Sequence, residues 1–430
     1  MIKQGSVLGS VISAITIDSL TRILDLNENI WEIEGTKINP LLFQDDIIAI
    51  NRTKDIQKTV NTIETFQHLK RLEFHEGKTK KSILNGKKDE KVEINGYEIK
   101  RTPEHTYLGK IVEEGLKEKR EIQERIIKAK IEQNECLRLL ENKYLGRKRI
   151  TGGVKYLQSI IIPTLAFGAE TWNELTEKEK DEINRVQTNY LAKVLKVPET
   201  TPKCALIGSL NLTKIEHIAN TRKLQYYVDI NNRNENKLEV KMQRLQNNRE
   251  MSYEREINDL KEKYNIDICL TGNNTKAIKN YIKNKIKEVN DKEIEDEIKK
   301  GRKTEMMSEY RKDYMEKLHF EEARAIFMML TRMIDVNTNF KNKHRNLECE
   351  MCQTEENTHH LFKCKKYQDL NKNIKGETLQ AVIKNNKEIE VAKVLKEIIK
   401  RIKTEREDKQ KIKQTTAPLP QGLSLPDGSE

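Results

Sequence analysis

The sequence predicts an α+β chain, with short strands at the front, long helices behind them and a small cysteine and histidine module near the end. Three observations lead there. As far as Gly109, short apolar runs alternate with turn signals such as Asn95-Gly96, the pattern of strands joined by tight turns. Beyond Gly109, apolar residues recur every three or four positions, which lines one face of a helix. Near the end, Cys349, Cys352, His360 and Cys364 stand close together in sequence.

A chain of 430 residues can bury a sizeable core and has the length of roughly two or three domains. With 34% charged and 36% hydrophobic residues it is wet, and only 18 Gly and 8 Pro argue against global disorder. Long solvated helices follow. Lys and Arg exceed Asp and Glu by 80 to 68, a net charge of +12 with pI near 9.1. That excess suits a polyanionic partner, although the interleaved acids suit ordinary solvated faces equally well.

The most apolar stretch, Ser159 to Ala169, is broken by Pro163 and Gly168. It is shorter than the ~20 residues that span a bilayer, so no membrane partner is expected. Asp18 and a helix-like continuation argue against a signal peptide at the front. Cysteines that pair are usual outside the cell. Here Cys136, Cys204 and Cys269 are scattered and only Cys349, Cys352 and Cys364 cluster, so a reducing, intracellular setting is expected, with nucleus and cytoplasm not distinguished.

Taken in order, residues 1–109 form the mixed part. Residues 110–230 read as a helical domain: Ile122, Ile126, Ala129, Leu137, Leu140 and Tyr144 mark one helix face, "YLQSIIIPTLAFGAETW" a packed helix with Pro163 inside it, and Ile183, Val186, Tyr190, Leu191 and Val194 another amphipathic helix. In residues 231–317 Lys, Glu, Asn and Asp dominate, with helical spacing interrupted near "LTGNNTK"; a solvated arm or linker is expected. Residues 318–372 hold the Cys/His module. Residues 373–413 read as one more helix, and the Pro-rich 414–430 as a disordered tail.

In "LLFQDDIIAI", Asp45 and Asp46 are embedded among strand-forming apolar residues. Two charges there are costly unless a metal or Lys neutralises them. Successive strand residues face opposite sides, so both cannot enter one site from a regular strand, whereas at a hairpin turn they come closer. Two-metal chemistry would in addition need a third acid from a neighbouring strand.

"FQDD" resembles the F/Y-x-D-D hairpin of reverse transcriptases. Its neighbours resemble that family's blocks in the same order: "QGSVLGSVISAITIDSL", Gln4 to Leu20, the block before the acidic pair; "FHEGKTK", Phe74 to Lys80, the N-x-x-KT block after it; and "YLG", Tyr107 to Gly109, the primer-grip turn. Downstream, "IIIPTLAFGAETW", "TPKCALIGSLNLTKIEHIANTRKLQYY" and "NFKNKHRNLECEMCQTEENTHHLFKC" resemble segments of non-LTR, LINE-type retrotransposon polyproteins. The likeness reaches to about Leu370 and is loose over 231–317. His75 stands where the family has Asn, and Gly9-Ser10 where it has Ser-Pro.

The resemblance implies a partial reverse-transcriptase palm sheet, a helical thumb or connector and a zinc knuckle. It implies magnesium held by Asp45, with Asp46 as a secondary ligand, and Lys78 near the triphosphate as a possible general acid. Gln4, Gly5, Ser6 and Phe43 would line the template and nucleotide site, and Tyr107, Leu108 and Gly109 would hold the primer end. Its partners would be an RNA template and a DNA primer or target. The family's first metal-binding Asp stands on a strand upstream of the Gln-Gly block, and the sequence starts three residues before that block. Asp18 and Asp25 fall after it. The expectation is a truncated copy, inactive alone, without fingers or endonuclease.

Cys349-x2-Cys352 followed by His360 and Cys364 supplies three thiolates and an imidazole, a complete tetrahedral zinc set, with His359 an alternative to His360. Lys343, His344, Arg345, Lys363, Lys365 and Lys366 flank it and would let it grip a phosphate backbone. The rival reading is a non-enzymatic RNA- or DNA-binding protein that keeps "FQDD" as a relic. A third is an unselected product whose half-palm does not fold stably.

Overall fold

The structure, a computed structural model, describes residues 8–25, 30–38, 40–43, 46–73, 75, 77–84, 89–141, 146, 148–173, 175–246, 253–268, 274–307, 314–340, 346–374 and 388–415. It is α+β, with helices dominating. The order opens with α1 (Gly9–Asp25), β1 (Glu32–Ile33), β2 (Thr36–Lys37), β3 (Leu41–Phe43), β4 (Asp46–Ile48), α2 (Ile56–Lys70), β5 (Glu93–Ile94), β6 (Tyr97–Glu98), β7 (Glu104–Tyr107) and β8 (Lys110–Glu113). Helices follow: α3 (Lys119–Leu140), α4 (Lys148–Tyr156), α5 (Ile162–Leu165), α6 (Glu177–Leu195), α7 (Lys203–Ser209), α8 (Ile215–Asn231), α9 (Leu238–Gln246), α10 (Tyr253–Lys263), α11 (Thr275–Lys300), α12 (Tyr314–Lys317), α13 (Phe320–Leu330) and α14 (Glu388–Thr415). The chain divides into two compact units: Met1–Lys130 with Pro163–Asn184 and Ile215–Val289, and Ile131–Ile162 with Arg185–Lys214 and Asn290–Glu430.

In the first unit the strands form four separate antiparallel pairs among the described residues, β1-β2, β3-β4, β5-β6 and β7-β8. Among the described residues no ladder joins one pair to the next. At Asn95-Gly96 both turn residues have positive φ, 50° and 78°, as the two-residue turn read from the sequence requires. Side chains occupy places that further strands would take. Gln57 on α2 donates from Nε2 to the Glu93 carbonyl at 2.8 Å and accepts the Glu93 N–H at 2.7 Å, and Glu64 accepts the Asn95 N–H at 2.9 Å. The division expected after Gly109 falls at the turn of β7-β8, whose second strand returns through Lys110–Glu113.

Helix α2 is apolar on two sides. Ile63 and Phe66 pack with Leu20 and Leu24 of α1 and with Leu42 and Ile47 of β3-β4, while Val60 packs with Val92, Ile94 and Ile99. Directly after β8, Glu114 accepts two hydrogen bonds of 2.9 Å from the Arg101 guanidinium and one of 2.9 Å from the Ile83 N–H. Arg101, and after it the Ile83 N–H, hold the Glu114 carboxyl at about 2, below its ordinary 4.5. The clasp is therefore complete above pH 4.5 and opens as pH falls through about 2. NMR titration of the Glu114 carboxyl should give a midpoint near 2, and a midpoint near 4.5 would show that the clasp is not made in solution.

The segment expected as a solvated arm contributes to the core. Ile257, Tyr264, Ile266, Ile278, Ile282 and Ile286 pack with Leu224, Tyr227 and Val228 of α8. On α11, Ile278, Ile282 and Ile286 recur every four residues, a stripe narrow enough to leave the rest of the helix charged.

In the second unit, α4 ends in a π-helical turn, Leu157–Ile161. The wide turn lies directly ahead of Pro163, which has no N–H to give the Ser159 carbonyl and whose ring crowds it. Arg149, 7% exposed, donates to the carbonyls of Leu140 and of Val194, the latter at 2.9 Å, and stacks over Phe320. It thereby caps the C-terminal ends of α3 and α6. Tyr190 donates to the Gly153 carbonyl at 2.9 Å, and a Cβ added at Gly153 would stand 2.8 Å from Val194 Cγ1. Valine in a helix holds one χ1 rotamer and cannot turn aside. Gly153→Ala should therefore destabilise the chain by about 1–3 kcal/mol despite the better helix propensity. Urea unfolding checks this, and a more stable variant would show that α4 and α6 can move apart.

The described part of the C-terminal helix is α14, of which Val391, Ala392, Leu395 and Ile398 are buried and which packs on α13. Residues 375–387 and the tail 416–430 lie outside the described residues.

Candidate metal centre and acidic hairpin

Cys349, Cys352, His360 and Cys364 converge, each offering a ligand atom within 4.8 Å of the others. Local backbone makes this possible. Cys349 to Cys352 wrap a turn closed by the Gln353 N–H on the Cys349 carbonyl at 2.9 Å and the Cys349 N–H on the Thr354 carbonyl at 2.8 Å, with Gln353 at φ 53°. His360 opens a 3-10 turn, His360–Phe362, and its N–H is capped by Asn357 Oδ1 at 2.9 Å. Cys364 precedes a second such turn, Lys365–Tyr367. Leu361 and Tyr367, 0% and 1% exposed, anchor the two turns from below.

The geometry fits a tetrahedral ion. Sγ of Cys364 lies 3.7 Å from Sγ of both Cys349 and Cys352, and two sulfurs bound at ~2.3 Å at the tetrahedral angle stand ~3.8 Å apart. Nδ1 of His360 lies 3.3 Å from Thr354 Oγ1, while its Nε2 is buried without a hydrogen-bond partner. That leaves Nε2 as the ligand atom. His359, the alternative read from the sequence, is exposed and outside the cluster. Burial pushes the Cys364 thiol up to about 12, so a thiolate there calls for a cation. The Lys365 backbone N–H draws the Cys352 thiol down, and burial lowers His360 toward the neutral imidazole that metals bind. The four residues can hold a metal ion such as zinc.

Of the basic flank, Lys363 and Lys365 are exposed, whereas Lys366 is engaged with Glu405 of α14. Lys343, His344 and Arg345 lie outside the described residues.

The acidic stretch is a hairpin, with Phe43 paired to Asp46 across β3 and β4. Leu42 and Ile47 face the core, and Phe43 is 52% exposed on the outer side with Asp46. Gln44 and Asp45, the two residues between the strands, lie outside the described residues, as do Gln4, Gly5 and Ser6. Tyr107, at the end of β7, has its phenol raised first by burial and then by the charge of Asp46. Asp46 and the "YLG" hairpin thus share one neighbourhood. Lys78 lies in an exposed turn, its N–H on the His75 carbonyl at 3.0 Å, and among the described residues no hydrogen bond or ion pair joins it to Asp46. Nor does any cluster of three ligands among those residues include Asp46, so they do not assemble a two-magnesium site.

The "YLG" hairpin is held by groups that the sequence did not single out. Leu108 and Gly109 form its turn with φ 47° and 83°. Arg125 donates to the Gly109 carbonyl and stacks 4.5 Å over Phe167. Glu121, fully buried, accepts from Arg125 Nε at 2.6 Å and from the Ile111 N–H at 2.8 Å. In sequence, Glu121 and Arg125 are spaced like any solvated helix pair, and nothing in the pattern marks them as buried.

Compared with known proteins, the chain matches no family model, no curated protein and no solved structure.

Proposed function

We propose that the chain is part of a LINE-type reverse transcriptase and that it acts as a nucleic-acid-binding protein built on a zinc-held module. The polymerase lineage is supported by the motif blocks standing in the family's order, and the charge of Asp46 reaches Tyr107, two residues that belong to separate blocks far apart in sequence. Zinc in the Cys349, Cys352, His360 and Cys364 set would be structural, because four protein ligands leave no open position for chemistry.

Asp45 and Asp46 would hold magnesium, which when bound supplies the positive charge that stabilises the oxygens exchanged in nucleotidyl transfer. Lys78 would meet the triphosphate, Gln4, Gly5, Ser6 and Phe43 the template and nucleotide, and Tyr107 to Gly109 the primer end. Transfer requires a carboxylate beyond this pair, and no cluster of three ligands among the described residues includes Asp46, so binding is the activity proposed. Exposed Lys363 and Lys365 meet the backbone phosphates.

The test is fluorescence anisotropy with an RNA template annealed to a DNA primer, across a range of salt, beside primer extension with magnesium. The expected result is binding that weakens steeply with salt and no incorporation above background. Incorporation that disappears in Asp45→Ala would make the chain a complete polymerase. Absence of binding at low salt would overturn the reading.

A further inference from the structure

We infer that metal occupancy of the Cys/His centre controls the docking of the second half of α14, so that the last helix reports whether the ion is present. The inference rests on the metal reading of that centre. Two stretches of α14 are fixed in different ways. Val391, Ala392, Leu395 and Ile398 are each fully buried and belong to the helix that packs on α13. From Arg401 to Lys409 the attachments are instead polar, apart from Ile402, and they all end on the Cys/His module or its approach.

Their endpoints follow the ligand loops. Lys409 reaches Glu350, between Cys349 and Cys352, at 2.5 Å. Glu405 accepts from Lys366, two residues after Cys364. Arg401 meets both carboxylate oxygens of Asp369, at 3.0 and 2.5 Å. Arg406 donates to Asn337 Oδ1 at 2.7 Å and faces Glu356 at 3.5 Å, while Asn337 Nδ2 donates to the Glu348 carbonyl beside Cys349 at 3.1 Å. Of these, Asn337, Glu350, Glu356, Lys366, Glu405, Arg406 and Lys409 line one cleft with Cys349, Tyr367 and Ile402.

Each pair alone is an exposed or half-exposed ion pair, and such pairs contribute little. They act together only if Glu350, Glu356, Lys366 and Asp369 keep fixed separations. Those positions belong to loops and 3-10 turns, in which the bridge of Glu348 with Glu355 and a few hydrogen bonds such as the Glu356 N–H on the Leu347 carbonyl are local to the Cys349–Cys352 side. Among the described residues the Cys349–Cys352 turn meets the Cys364 turn through weak contacts to sulfur, the Lys365 N–H on Cys352 and the thiols on one another, and a metal bound by all four ligands would replace these with strong bonds. With the ion gone the acceptors drift apart, and Arg401 to Lys409 lose their shared platform. Val391 to Ile398 keep theirs, because apolar packing on α13 does not pass through the ligands. Binding linkage makes the effect reciprocal: removing the helix's contacts must weaken metal binding by the same factor that the metal strengthens docking.

The experiment is hydrogen exchange by mass spectrometry on the full chain with zinc and after chelation, with zinc content read from the native mass. The expected result is that amides of 401–409 exchange about tenfold faster without zinc while those of 391–398 are unchanged. Arg406→Ala with Lys409→Ala, which leave every ligand in place, should lower zinc affinity against a competing chelator about tenfold. Lys403→Ala, whose partner Glu407 lies on the same helix, should leave it unaltered. Zinc uptake with equal exchange in both states would overturn the coupling and leave the metal centre standing. A chain that takes up no zinc would overturn both.

Discussion

Cys364→Ser should remove zinc from the chain and unfold residues 346–374 while leaving the helical remainder folded. Cys364 is 1% exposed and its sulfur lies 3.7 Å from both other cluster thiols that it faces, so its loss takes the ligand that both of them share. A serine hydroxyl is a hard, neutral oxygen and a poor exchange for a thiolate. The module has little else to hold it: besides the ligands its buried apolar residues are Leu361, Tyr367 and Ile374. Structural zinc contributes ~10–16 kcal/mol to folding in small domains of this kind, more than such a core can replace. Native mass spectrometry should find the wild-type chain one zinc heavier than the variant. Proton NMR should show loss of the Tyr367 and Leu361 signals from their native positions. Retention of zinc by Cys364→Ser would refute the four-ligand assignment.

Arg149→Met should destabilise the second unit by about 3 kcal/mol or more. Methionine fills much of the volume, so the change isolates hydrogen bonding. It leaves the carbonyls of Leu140 and Val194, and that of Lys193 at 3.4 Å, without their donor. Each buried polar group left unsatisfied costs about 1–3 kcal/mol. Burial lowers the guanidinium pKa first and nearby carboxylates, Glu321 foremost, raise it, and the helix C-termini it caps supply partial negative charge in addition. A whole domain has only about 5–15 kcal/mol of stability, so the loss should be plain in a urea titration. Arg149→Lys should fall between the two, because one ammonium cannot reach three carbonyls as a planar fork does. A Met variant within about 1 kcal/mol of wild type would mean that water already serves those carbonyls.

The sequence could be read best where one short stretch contains its own explanation. Asn95-Gly96 between apolar runs specifies a tight turn, and three cysteines with a histidine at close spacing specify a ligand set. The faces of α3 and α6 were also visible, since Ile122, Ile126 and Ala129 and then Ile183, Val186 and Tyr190 are all buried as their spacing implied. Three things were hidden for a common reason. Glu121, Arg125 and Arg149 look solvated because charge is only an average guide to exposure, and their partners are backbone carbonyls and amides that no sequence pattern displays. The helices of 231–317 were legible as helices, but a stripe one isoleucine wide did not announce that it entered a core. The separateness of the strand pairs could not be read either, since ladder partners are set by tertiary approach and not by strand propensity.

Those separate pairs bear on how quickly the chain organises. In β1-β2, β5-β6 and β7-β8 each strand meets the strand that follows it across a turn of two residues, and β3-β4 is equally local. Closing so short a loop takes little time, and isolated hairpins form within ~1–10 μs. The front of the molecule therefore has low contact order in its sheet pairing, unlike domains whose central strands must find partners a hundred residues away. Two-stranded ribbons are marginal alone, so β3-β4 and β5-β6 become permanent only once α2 has condensed against them, and α2, not any strand, is where the folding nucleus of this part should lie.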